Sequence, residues 1–288
     1  AAEYPGQLPV VDSTGFPLGY GPTSQYVLTP AFIAAYTGKS PSTVGLNSMP
    51  SIPLPNWRLS YSGLTKIDFF KQYFKTFTIN HAYRGSYAVG SFTTNVNFVE
   101  FPGDPDLPTK RNPNNGDFYP RYEIGVVTLN EQFSPLINFD MTLHNSLLAK
   151  LEVKRSRNLS LSFANNQLTE VTNNEFILGL GYRIEEVPFT FSSLGGGGRR
   201  TVRSDLNLKA DFSIRDNKTV LRNIVNNLNQ ISAGQKQVRI AFNADYMISQ
   251  NLTFAVYFDK IITNPFLPSQ FRNSTTQGGI KLRFSLAQ

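Results

Sequence analysis

The nearest approach this chain makes to a set of catalytic groups is HNS, His144, Asn145 and Ser146. A serine nucleophile, its base and the group that orients the base must converge in space, and three consecutive residues in a tight turn cannot do so. His81 is the only other histidine. No spacing of His, Asp and Glu resembles a metal site, and the absence of cysteine removes disulfides, thiolate ligands and thiol nucleophiles together. Gly195 to Gly198, followed by Arg199 and Arg200, lacks the Lys-Ser/Thr pair and the following helix of a phosphate loop, so it reads as a flexible connection. The expectation is a protein that is not an enzyme and carries no catalytic residue, metal or cofactor.

The informative chemistry lies in a pattern. In RSDLNLKADFSIR (203–215), Leu206, Leu208, Ala210, Phe212 and Ile214 take every second position. Arg203, Asp205, Lys209, Asp211 and Arg215 fall between them, so an extended strand has one oily face and one ionic face. VRIAFNADYMI repeats the pattern, with Ile240 and Phe242 against Arg239, Asn243 and Asp245. LTFAVYF puts Phe254 and Val256 on one side, and IKLRFSL puts Leu282 and Phe284 opposite Lys281 and Arg283. Read as a membrane wall, the oily set faces lipid and the ionic set lines a wet lumen, where mixed charge keeps the wall hydrated without holding cargo of either sign.

Composition favours that reading over a soluble sandwich or a lipocalin-like barrel, which explain the alternation equally well. Only 16% of the 288 residues are charged, against about 25% in soluble globular proteins. Aromatics reach 13%, with 23 Phe and 13 Tyr. Mean hydropathy is −0.23 and no apolar run approaches the length of a spanning helix, whereas a barrel needs only alternate residues apolar. The net charge of +7 and pI near 9.5 suit anionic lipid headgroups or acidic cargo. No basic helix or RNA-binding motif accompanies them, so nucleic acid is not expected as a partner.

Two regions are expected. Residues 1–56 hold nine of the 18 prolines and should be irregular chain packed in or under the wall. One short helix is legible there in TPAFIAAYTG, with Thr29 as N-cap, Pro30 at the first helical position and Gly38 past the end. Residues 57–288 should be membrane strands at 57–62, 73–81, 85–98, 120–130, 136–143, 147–163, 175–187, 202–215, 236–248, 251–261 and 276–287. Tight turns are expected at 144–146 and 249–251, and long connections at 99–119, 164–174, 216–235 and 262–274. Within the third of these, DNKTVLRNIVNNLNQI (216–231) has helical spacing and an Asp216 cap, and it reads as a short helix or, alternatively, as an irregular extension of the strand. NEQFSPL (130–136) reads either as a turn or as a bulge in one long strand, and the choice decides which end of the sheet carries 99–119.

PSIPLPNWRLSYSGL (50–64) followed by FKTFTINHAYRGSYAVGSF (74–92) resembles the segment near the C-terminal end of the SprA/Sov family, the outer-membrane translocon of the Bacteroidetes type 9 secretion system. PAFIAAYTG, LSLSFANNQLTEV (159–171), ADFSIRDNKTVLRNIV (210–225) and the closing GGIKLRFSLAQ extend the likeness over nearly the whole chain. The resemblance implies an all-β fold, a transmembrane antiparallel β-barrel of which this chain forms a C-terminal section of a very large wall. It implies a bacterial outer-membrane location and passage of folded cargo proteins from periplasm to cell surface. The implied partners are the remainder of the translocon barrel, a PorV-type shuttle protein, a plug protein, secreted cargo proteins and outer-membrane lipid. A porin-like or nutrient-transporter barrel is the alternative reading.

Overall fold

A computed structural model describes residues 11, 15–38, 40, 55–192, 199–249 and 251–285. Its elements in chain order are α1 (Gln25–Thr37), β1 (Trp57–Tyr61), α2 (Asp68–Tyr73), β2 (Phe74–Thr94), β3 (Glu100–Phe101), β4 (Asp104–Pro108), β5 (Tyr122–Leu143), β6 (Leu147–Ser162), β7 (Gln167–Ser192), β8 (Arg199–Asn223), β9 (Leu228–Ser249), β10 (Leu252–Pro265) and β11 (Asn273–Phe284). Nine strands form one antiparallel sheet in the order β1-β2-β5-β6-β7-β8-β9-β10-β11, and β3 and β4 make a small separate hairpin. Each strand of the large sheet pairs with its neighbour in sequence, apart from the insertion between β2 and β5. Among the described residues β1 pairs only with β2 and β11 only with β10, so the sheet is open at both edges. Among the described residues no helix is long and apolar enough to cross a membrane.

The strands run to 26 residues in β7 and 25 in β8, far beyond the roughly 5–6 of an ordinary globular strand. That length merges expected pieces. The segments 73–81 and 85–98 are both part of β2, and 120–130 and 136–143 are both part of β5. NEQFSPL is therefore a bulge within a strand. Pro135 has no N–H to give to the ladder, and the β5–β6 register shifts between Phe133 and Ile137.

The expected long connections at 164–174 and 216–235 are corrected to short turns, at 163–166 and 224–227. The polar residues Asn173, Asn174, Asp216 and Asn217 lie in mid-strand, paired with one another across β7 and β8. The helix expected over 216–231 is absent. Its apolar stripe is split between the sheet's two faces, since Val220 opposes Ile231 while Leu221 opposes Gln230. Over Asp216–Asn223 the backbone pairs with β7 on one side and β9 on the other, which replaces the hydrogen bonds a lone helix would make internally. The Gly195–Gly198 stretch lies outside the described residues.

Because β5 is one strand, the connections sort by end. The 95–121 insertion lies at the same end as 163–166, 224–227 and 266–272, here termed the loop end. Residues 62–73, 144–146 and the β9–β10 turn lie at the opposite, turn end.

Helix α1 begins earlier than the sequence suggests, with Ser24 as its N-cap and both Thr29 and Pro30 inside it. Gln25 explains the earlier start, because its side-chain amide donates to the Tyr122 carbonyl (2.9 Å) and accepts from the Ile124 N–H (3.0 Å), pinning the first turn to β5. Gly38 closes the helix at φ 69° in the left-handed region. Leu28, Phe32 and Ile33 pack on Ile124, Val127, Leu129, Leu159, Leu161 and Leu168, the best-buried cluster of the molecule.

Candidate functional site

Register carries the two-faced pattern across strands. Leu206 pairs with Ile184 and Tyr246, and Tyr246 with Phe254, which pairs with Leu282. One rung nearer the loop end on the same face, Leu208 follows Tyr182, with Ala244, Val256 and Ile280 beyond. The next rungs hold Leu180, Ala210, Phe242 and Phe258, then Leu178, Phe212 and Ile240, then Phe176, Ile214, Val238 and Ile262. All ten residues assigned to lipid by sequence stand on this face, with Phe284 a final rung beside Leu252. Leu180, Ile240, Phe242, Phe258, Ile280, Leu282 and Phe284 are each 40% or more exposed, and no other described residue covers them. Lys260 beside Ile240, and Ser274, Thr276 and Gly278 on β11, interrupt the band at its edge.

Along β8 the band runs from Leu206 to Ile214, nine residues. A tilted membrane strand needs about 9–11. Toward the loop end the same face turns polar at one rung, where Arg155, Asn174, Asp216, Lys236 and Asn264 lie side by side. Toward β1 that rung continues as Phe133, Tyr83 and Trp57, with ring centroids 4.8 Å and 4.5 Å apart. Beyond it comes the patch covered by α1, which seats on the face of the apolar band and not on the polar face. Arg157 fastens the helix there: its guanidinium pairs with Glu131, lies over the Tyr36 ring, and donates to the Tyr36 carbonyl at 3.3 Å. Burial raises the Tyr36 phenol above its ordinary value, with Glu170 adding to the shift and Arg222 and Arg157 opposing it.

The opposite face carries the residues assigned to a lumen. Arg239 forms a two-pronged ion pair with Asp259 (2.7 and 2.9 Å), and Asp205 pairs with Arg183. Arg215 pairs with Glu175 at 2.8 Å, and Lys154 links Glu175 to Glu152, which also holds Lys150 at 3.1 Å. Lys209 and Asp211 flank Gly181 and Gly179, whose missing side chains leave a trough of about 260 Å³. Lys281 lies 4.3 Å above the Tyr257 ring, and with Arg283, Asn243 and Asp245 it lines a second hollow at the β11 edge. Arg203 stands farther toward the turn end, opposite Pro188. Leu148, Ile177 and Ile261 interrupt this face without forming a continuous patch.

Sequence reasoning missed the Lys150–Glu152–Lys154–Glu175–Arg215 chain, although K-x-E-x-K in KLEVK was its visible signal. It also missed the chain from Ser60 through Asn80 to Asp140, which runs across three strands and no single segment reveals. The HNS residues stay separate in their turn: His144 Nε2 bonds the Lys71 carbonyl (2.9 Å), and the Asn145 side chain accepts from the Leu147 N–H. His81 Nδ1 bonds the Leu136 carbonyl at 2.6 Å. Among the described residues no three His, Cys, Asp or Glu side chains cluster as metal ligands.

No family model matches the chain, and no curated protein matches it. The geometry therefore speaks alone. It offers an extended, ion-paired surface on one side and an exposed apolar surface, nine residues high on β8, on the other.

Proposed function

We propose that this chain is a section of the wall of a large outer-membrane β-barrel that conducts folded proteins from periplasm to cell surface, as the type 9 secretion translocon does. The observation that carries the membrane part is the uncovered apolar band, nine residues high on β8 and backed by an ion-paired face. A soluble sandwich or lipocalin-like barrel would turn that band inward against other parts of the chain. The open edges at β1 and β11 support a section of a wider wall. The SprA/Sov resemblance supports the cargo, the shuttle, the plug and the remaining barrel as partners. The tight 144–146 and β9–β10 turns at one end and the long 95–121 insertion at the other support a periplasmic turn end and an external loop end.

The physical role follows from pairing. Most polar-face cations named above already hold a carboxylate, so a passing protein meets neither a bare positive nor a bare negative stripe. A photo-crosslinker at Asn243, in cells exporting a tagged folded cargo, should capture that cargo, and one at Ile240 should capture lipid. Capture of cargo at Ile240 and not at Asn243 would reverse the faces. Passage of small solutes with no cargo capture at either position would favour a porin.

A further inference from the structure

The apolar band has two unlike borders. At the turn end it finishes in Tyr246, Phe254, Leu282 and Phe284. At the loop end it stops at the rung Trp57–Tyr83–Phe133–Arg155–Asn174–Asp216–Lys236–Asn264, with Lys218 one rung beyond on β8. Stacked Trp and Tyr rings belong at a membrane–water interface, where an apolar body meets a polar tip. The cations of this border differ from those around them. Arg157 and Arg222, farther up the same face, are paired with Glu131 and Glu170. Arg155, Lys218 and Lys236 have no ion-pair partner among the described residues, and Arg155 and Lys236 are exposed. Asp216 is the rung's one carboxylate and forms no ion pair with either neighbour.

We propose that this border is a binding site for lipid-borne phosphate in the leaflet at the loop end, with Arg155, Lys218 and Lys236 as its cations and the Trp57–Tyr83–Phe133 stack fixing its depth. The proposal rests on the reading of the band as lipid-facing and adds a headgroup class to it. Acyl chains lie on Phe176, Ile214 and Val238, one rung below, so a phosphate carried by the same lipid is delivered to the level of the guanidinium and ammonium groups. A soluble anion lacks that apolar anchor.

The test uses the protein isolated from its native membrane, in the assembly it forms there, placed in nanodiscs of phosphatidylcholine with or without phosphatidylglycerol. Native mass spectrometry then counts retained lipid. The wild type should retain phosphatidylglycerol preferentially, and inorganic phosphate should not displace it. R155Q/K236Q should reduce the preference by about fivefold for each charge removed, while R58Q/R84Q, a charge-matched change on the polar face, should leave it intact. Equal retention of both lipids by the wild type, equal loss in the two double variants, or displacement by inorganic phosphate overturns the site and leaves the membrane reading standing. A protein that stays dispersed and monomeric without detergent or lipid overturns both.

Discussion

Phe212 and Asp211 are adjacent in sequence and opposite in surroundings, which makes them the sharpest single-residue test of the two-faced wall. Phe212 lies mid-band between Leu178 and Ile240, and Asp211 stands over Gly179 on the ionic face. Phe212→Arg should cost about 2–4 kcal/mol near a bilayer midplane and deplete the protein from the membrane fraction. Asp211→Asn should leave it there, because its carboxylate sits in a wet trough and is no partner in the ion pairs described above. Equal membrane yield of the two variants would refute the face assignment. These faces were readable from sequence because a period of two needs no tertiary information. What sequence could not show was which charges pair across strands, since Glu175 meets Lys154 only through the β6–β7 register and Arg215 only through the β7–β8 register.

At the scale of elements, strand identity was legible and strand length was not. Sequence reading ended strands wherever apolar alternation ended, at Asn173 and Asp216 for example. Hydrogen bonding does not stop there, because a strand with water on both faces can still pair with its neighbours through the backbone. The α1 seat shows the same limit, since Leu159, Leu161 and Leu168 read as more of the oily face but are buried under a helix more than 120 residues upstream. Leu159 is fully buried, so Leu159→Ala should loosen the helix by about 2–5 kcal/mol. Limited proteolysis should then release the N-terminal segment while the β6–β10 ladder resists. A variant whose N-terminal segment is cut no faster than wild type would show that α1 is held by its Gln25 and Arg157 bonds alone.

For the whole molecule the decisive fact is that, among the described residues, the sheet is open at β1 and β11. Edge strands present unpaired backbone groups that invite another strand, and β11 offers twelve residues of such an edge. Amide hydrogen exchange should therefore be fast along the free side of β11 in the chain alone, and slow in the assembly taken from native membranes. Equally fast exchange in both would mean that no further strand joins there, and the picture of a section within a wider wall would fail. Past the band's border β7 continues from Asn173 to Gln167, seven residues, or roughly 23 Å at the rise of a β-strand. A duct built this way would have a chimney standing clear of the bilayer, stiffened by the same backbone ladder. The exit seen by an emerging polypeptide would then be set by hairpin tips such as 163–166 and 224–227, well away from the lipid surface.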